Sequence, residues 1–427
     1  MTTDFPARIR SGATTSLRRS RRTAFACALS SLVAGCSDRT MFSGNAFNTD
    51  PPVPGPLNGY VMVTNNGDDT LSAVDPQTKK VRWRIPVGFI PVELEGPHHI
   101  VADPSGNFVY FNLSEAVAGS GSGPHGSHGT GTIPGFTVKL STRDASQVAF
   151  AQVDPNPGDL TLSADGKTLY VTHYDLVKLG QAAQSGNMRL ADTRLAIINA
   201  ETMTVRSNVT LCPVAHGVQV SADGRRLYST CGTDEIAIAR LDEANTPVDR
   251  VLLPGQVEQV NCNQCPYALS IAPDGTVWVS NLGRGGGISG GGSVQVYDPR
   301  TGAFDATRTI SFGGRPLFAA FGSSPLGAPA YRVFIPEQGL GDFVRGYEVN
   351  GSATPNPVGA ISFELADCFN AHMLAVRANA VGHLICEGDH RGPGTFAFLD
   401  LQAMRMMSSE AVGVFSDGMA LVPAAAP

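Results

Sequence analysis

Beyond residue 58 the chain is built from short runs of β-branched and aromatic residues bounded by Gly, Asp, Asn and Pro, with no sustained 3.6-residue periodicity. Such runs predict strands, and the chain as a whole predicts an all-β fold. A unit recurs within it: an apolar strand, a tight turn, a second apolar strand, a loop, then two further strands. The tight turn appears as Asp103-Pro-Ser-Gly106, Ser163-Ala-Asp-Gly166, Ser221-Ala-Asp-Gly224 and Ala272-Pro-Asp-Gly275. Its last place suits glycine because φ is positive there. A later turn recurs as Val74-Asp-Pro-Gln-Thr78, Ile198-Asn-Ala-Glu-Thr202, Tyr297-Asp-Pro-Arg-Thr301 and, more loosely, Leu399-Asp-Leu-Gln402.

Counting back eight residues from each turn glycine gives His98, Gly158, His216 and Tyr267. Weaker units begin near Leu317 and at His372. A last apolar strand, Val414 to Val422, starts near Asp417 and has no strand after it; Tyr60 to Asn65 begins with no first strand before it. Joining these ends predicts a seven-bladed β-propeller over residues 58–423, closed by pairing the C-terminal strand with the N-terminal strands, and a tail at 424–427. Closure removes the sheet edges that would otherwise template aggregation.

Composition narrows the partners. The 427 residues are 42% hydrophobic and 16% charged, which suits a folded chain with a sizeable core. With 31 Lys+Arg against 37 Asp+Glu the net charge is -6 and no basic stripe is present, so nucleic acid is excluded as a partner. No run of 18 apolar residues exists to form a spanning helix. Arg8 to Arg22 carry six arginines, and Thr23 to Val33 form an apolar run of eleven, the order of an export leader; a short buried helix fits poorly beside that basic cluster. Ser20-Arg21-Arg22 is only a faint twin-arginine signal, with Phe25 one place late, so the route of export stays open.

The run ends in Val33-Ala34-Gly35-Cys36, which resembles the bacterial lipobox. That resemblance implies cleavage of residues 1–35, lipidation of Cys36 and anchoring in membrane lipid; Ser37 after the cysteine further implies the outer membrane of the cell envelope. Removal of the leader leaves 392 residues with a net charge of about −11. Residues 36–57, with Thr49-Asp-Pro-Pro-Val-Pro-Gly-Pro56, read as a stiff tether. Within the body, Tyr60-Val-Met-Val-Thr-Asn65, Tyr170-Val-Thr-His173 and Trp278-Val-Ser-Asn281 resemble the YVTN-repeat β-propellers over about residues 58–423. The departures are a poor sixth unit, Arg315 to Glu348, and inserts at 116–135 and 178–193. The resemblance implies a seven-bladed, mostly extracytoplasmic fold without one shared reaction. A monomer is expected.

Candidate chemistry lies in the cysteines and histidines. Cys212 precedes the first strand of one unit and Cys231 ends its second strand; Cys368 and Cys386 repeat the arrangement, so disulfides 212 to 231 and 368 to 386 are expected in an exported protein. Cys262 and Cys265 either pair together or act as a redox dithiol. No Cys-x-x-Cys-His occurs, so covalent haem attachment is not supported. The repeat places His98, His99, His216 and His372 at first-strand starts on one face, called the top. His173 ends a second strand, His125, His128 and His390 lie in loops of the same face, and only His383 falls within a strand.

Two function classes follow. In the first, a membrane-anchored scaffold binds a protein, glycan or small ligand on the top face through His98, His99, His173, His216, Tyr267, His372, His390 and Asp417. In the second, a redox or hydrolytic enzyme holds a divalent metal ion, Zn or Cu, on His98, His216 and His372 with Asp417 as carboxylate ligand and Asp159 nearby. Against the metal stands ordinary turn packing of polar residues at strand starts. No catalytic residue is assigned. Gly285-Gly-Gly287-Ile-Ser-Gly290 matches a dinucleotide pattern and Gly287-Ile-Ser289-Gly-Gly291 a nucleophile elbow, but no helix follows either, so both read as loop.

Overall fold

The computed structural model describes residues 55–90, 93–115, 129–257, 262–284, 291–339, 341–377 and 379–424. The leader, Cys36, most of the tether, His125 and His128 lie outside the described residues. The described chain forms seven antiparallel sheets, the blades of an all-β propeller. Blade 1 takes three strands from the N-terminal side, Val61–Asn65, Thr70–Asp75 and Lys80–Pro86, and its innermost strand, Ser416–Leu421, from the C-terminal side. Met62 stands opposite Ala420 and Val63 opposite Met419. The closing strand is shorter than expected, because Val414 ends the outer strand Arg405–Val414 of blade 7 and Phe415, at φ +52°, turns the corner.

The innermost strands of blades 2 to 5 are Pro97–Ala102, Pro157–Leu162, Val218–Val220 and Pro266–Ile271; blade 7 has Ala371–Val376. Blade 6 explains its poor repeat signal. Its inner strand is split into Arg315–Pro316 and Ala320–Ser323, both paired with Tyr331–Gln338. Middle strands such as Val61–Asn65 and Val277–Asn281 are buried at every position, since each sheet is covered by a neighbour on both faces. Outer strands such as Gln147–Gln152 are largely exposed. Between blades 1 and 2 the core consists of Met62, Leu71 and Ala73 against Val109, Phe111 and Leu113.

The all-β expectation holds, with one α-helix among the described residues. The insert at 178–193 contains a helix, Leu176–Ser185, which no periodicity announced. Ten residues are too few to stand out in a β-rich chain, yet local signals were present: the Asp175 carboxylate accepts from the Lys178 amide at 3.0 Å, and Gly186 ends the helix at φ +66°. The disulfides Cys212–Cys231 and Cys368–Cys386 are formed, and Cys262 and Cys265 are bonded to each other. Cys212 belongs to the outer strand of blade 3 and Cys231 to the second strand of blade 4, so that bridge clamps two blades.

The four turn glycines Gly106, Gly166, Gly224 and Gly275 have φ between +71° and +81°. A Cβ at Gly224 would meet nothing, whereas at Gly106 it would stand 2.7 Å from the Pro423 carbonyl oxygen. Gly224→Ala should therefore cost only the left-handed backbone penalty, about 1–2 kcal/mol. Gly106→Ala should cost more, because it also pushes on the segment that follows the closing strand. Denaturant midpoints of the two variants check this; equal losses would remove the contact with Pro423 as a contributor.

Candidate functional site

Each blade brings one side chain, and blade 2 brings two, from the start of its innermost strand into a central group on the top face: Asp417 from blade 1, then His98 with His99, Asp159, His216, Tyr267, Phe318 and His372. Five of these strands begin with a bulge, the closing strand among them, where Asp417 is left over between Ser416 and Gly418. Pairing slips between His98 and Ile100, Pro157 and Leu160, Pro266 and Ala268, and Ala371 and Met373. The residues left over include His99, Tyr267 and His372. In an unbroken strand neighbours alternate between faces, so His98 and His99 would point apart. The extra residue, with His99 at φ +44°, brings both imidazoles to the same group. A side chain at Gly418 would stand 2.6 Å from the His99 Cα, so only glycine after Asp417 lets the strands of blades 1 and 2 approach this closely.

The second strands hold this ring in place. One residue from their ends stand Thr64, Asn112, Thr172, Thr230 and Ser280. Asn112 Nδ2 donates to the Gly158 carbonyl at 3.0 Å, Thr172 Oγ1 to that of His216 at 2.5 Å, Thr230 Oγ1 to that of Tyr267 at 2.8 Å and Ser280 Oγ to that of Leu317 at 2.6 Å. Each bond crosses from one blade to the next.

His98, His99 and His216 offer ligand atoms that all lie within 4.8 Å of one another. Their ring centroids are 4.3, 5.9 and 5.5 Å apart, and His372 follows at 6.4 Å from His99. Every Nδ1 in the group faces an acceptor. His98 Nδ1 is 2.8 Å from an Asp417 oxygen, His99 Nδ1 is 3.2 Å from Asp159, His216 Nδ1 donates to the Tyr267 carbonyl at 3.1 Å, and His372 Nδ1 bonds the Glu387 carboxylate. A carbonyl cannot donate, so a neutral His216 carries its proton on Nδ1; an ionised carboxylate at Asp417 or Glu387 would impose the same tautomer on His98 and His372. The acceptors are themselves supported. Thr64 donates to Asp417 at 2.7 Å, the Leu160 and Val218 amides donate to Asp159 at 2.7 and 3.1 Å, and Gln338 donates to Glu387 at 3.1 Å.

All four imidazoles are buried. Burial, reinforced by the neighbouring His98 and His216, holds His99 well below the ordinary imidazole pKa, so it is neutral. Burial also lifts Asp159 to about 7 against two amide hydrogen bonds. At Glu387 burial pushes the same way, but His372 and His390 together override it and hold the carboxyl at about 2. Buried imidazoles backed by carboxylates and a carbonyl, with His99 held neutral, are the donor set of a transition-metal site. Nitrogens sharing one zinc ion at ~2.1 Å in tetrahedral geometry stand ~3.4 Å apart, so the trio would close by ~1.4 Å at most.

The grouping differs from the one expected. His99 joins His98 and His216 where His372 was anticipated, and Asp417 stands behind His98 as its acceptor. Tyr267 stacks on His216 at 4.0 Å. His173 is turned away, its Nδ1 on the Arg194 carbonyl in the third strand of its own blade, and burial lowers it to about 4. His390 is partly exposed, bonded to Glu387 at 2.7 Å and stacked on Phe415. His383 packs against Phe396 and Phe398. Phe318, at 5.3 Å from His99 and 5.6 Å from His372, was missed by one place, since the repeat pointed to Leu317. Glu387 was missed altogether; an acid directly after the disulfide-bonded Cys386, at the end of a buried strand, was the available signal.

Gly418→Ala should fold with a loss of about 1–3 kcal/mol from overpacking. In its crystal structure His99 should have moved, with Nδ1 beyond hydrogen-bond reach of Asp159. An unmoved His99 would show that the strand of blade 1 yields instead.

No family model matches the chain, and no curated protein matches it in sequence. Solved structures do match in shape. A functionally unknown protein from Desulfotomaculum acetoxidans superposes with a TM-score of 0.60 at 12% identity, covering 86% of this chain and 100% of its own. Hydrazine synthase from Kuenenia stuttgartiensis follows at 0.55 and 15%, covering 79% and 94%. Dihydro-heme d1 dehydrogenase NirN gives 0.53 and 13%, covering 88% and 78%. At such identities the likeness shows the fold alone: this chain is a seven-bladed β-propeller.

Proposed function

We propose that the protein is an exported, lipid-anchored propeller whose top face holds one transition-metal ion, zinc or copper, on His98, His99 and His216. The observation that carries this reading is the set of three imidazole ligand atoms within 4.8 Å of one another. It is supported by the acceptor beside each Nδ1, which would leave Nε2 as the nitrogen to take the ion. His372 stands next to the trio as a fourth imidazole. The buried carboxylates of Asp159 and Asp417 would offset the charge of a dication without touching it. Export and anchoring rest on the leader and Cys36, on the YVTN-like repeat of such proteins, and on three disulfides that fit an oxidising compartment.

Elemental analysis of membrane-derived protein, purified without added metal, should find about one zinc or copper per chain. His99→Ala and His216→Ala should lose it, His173→Ala should keep it, and Asp417→Asn should weaken binding 10- to 100-fold through His98. Folded His99→Ala and His216→Ala proteins with unchanged metal content would overturn the reading, as would a native protein that binds neither metal on titration. The intact mass of the same preparation should lack residues 1–35 and include acyl chains on Cys36; a mass beginning at Met1 would refute the anchor.

A further inference from the structure

A second site lies apart from the histidines, between the link that enters blade 2 and the strands Phe108–Leu113 and Phe136–Ser141 of that blade. It is a groove of about 290 Å³, near the lower end of small-ligand sites. Ile90, Leu113, Ile133 and Phe136 form apolar walls. Phe136 is packed edge-on against Phe89 and Phe150, with centroids at 5.3 and 5.5 Å, and those two rings are 40% and 53% exposed.

The charged lining is all of one sign. Glu93, Glu95 and Glu115 line the groove, and no Lys or Arg is among its lining residues. Two of the carboxylates are held in position by the backbone. Glu95 Oε2 accepts from the Phe89 amide and, at 2.9 Å, from the Ile90 amide; Glu115 Oε2 accepts from Thr132 at 2.8 Å. Each uses one oxygen for this, and no partner of the other is found among the described residues. Ser114, also in the lining, has a buried hydroxyl with no hydrogen-bond partner among the described residues. A buried hydroxyl left unmatched is costly unless a ligand or water completes it.

We propose that this groove binds a small organic cation, an amine with an apolar body. The carboxylates would take the charged end, the apolar walls would take the body, the Phe136 ring would add cation–π attraction, and the Ser114 hydroxyl would supply a further polar contact. The acidic net charge of the whole chain favours the approach of cations over anions. The site is independent of the metal reading and stands or falls separately from it.

Calorimetric titration of the full protein with 2-phenylethylamine, with uncharged 3-phenylpropanol and with anionic 3-phenylpropionate tests the proposal. The amine should bind one per chain at least tenfold more tightly than either analogue. Glu115→Gln and the solvent-facing Glu93→Gln should each weaken it about tenfold or more, Ser114→Ala less so, with the metal content of all three unchanged. Equal binding of amine and alcohol, indifference to both glutamate substitutions, or no binding of the amine up to ~10 mM would overturn the proposal. Amine binding that emerges only after deletion of residues 116–128 would also overturn it, by making the groove the seat of that segment.

Discussion

The top face depends on a bond repeated between blades: a hydroxyl or amide one residue from the end of a second strand, donated to a carbonyl at the start of the next innermost strand. Asn112, Thr172, Thr230 and Ser280 make it to Gly158, His216, Tyr267 and Leu317. These carbonyls belong to bulged or irregular backbone at the strand starts, and the Tyr267 carbonyl also accepts the Gly217 amide of the neighbouring blade at 3.0 Å. Side chains supplied from the neighbouring blade thus tie the strand starts of adjacent blades together. The same residue type that gives the repeat its recognisable ending is thus the clamp between adjacent blades.

Polar groups then accumulate at the starts of the innermost strands. Four imidazoles and the carboxylates of Asp159, Asp417 and Glu387 are buried together, a cluster that hydrophobic packing alone would not retain. Each carboxylate is matched to a histidine and to a further donor. The network is satisfied in layers, from Thr64 through Asp417 to His98, and from Gln338 through Glu387 to His372. Its innermost layer consists of imidazole rings close enough to share a cation. The strain of His99 at positive φ and the absence of a side chain at Gly418 serve that convergence rather than the sheet.

The disulfides act at the same level. Cys212–Cys231 ties blade 3 to blade 4 just before His216, and Cys262–Cys265 closes the loop just before Tyr267, whose carbonyl and ring both hold His216. Oxidation therefore stiffens the approach to one imidazole from two sides. Asp234 adds to this by accepting the amides of Asn263, Gln264 and Cys265 at 2.7 to 3.0 Å.

The sequence by itself determined the architecture. Apolar runs, turn glycines at fixed spacing and the unpaired strands at the two ends were sufficient for seven blades and their closure, because strand propensity and positive-φ turns are local properties read within a few residues. Repeat position also placed His98, His216, His372 and Asp417 on one face. Which of them meet was decided only by tertiary structure. A strand bulge swings His99 beside His98, the glycine at 418 permits the close approach, and Phe318 rather than Leu317 faces the ring because the inner strand of blade 6 is split. Glu387 joins His372 through the pairing of two strands whose register no local pattern encodes. Local chemistry sets which residues are near the axis, whereas a shift of one residue in register, fixed by contacts between blades, sets which of them touch.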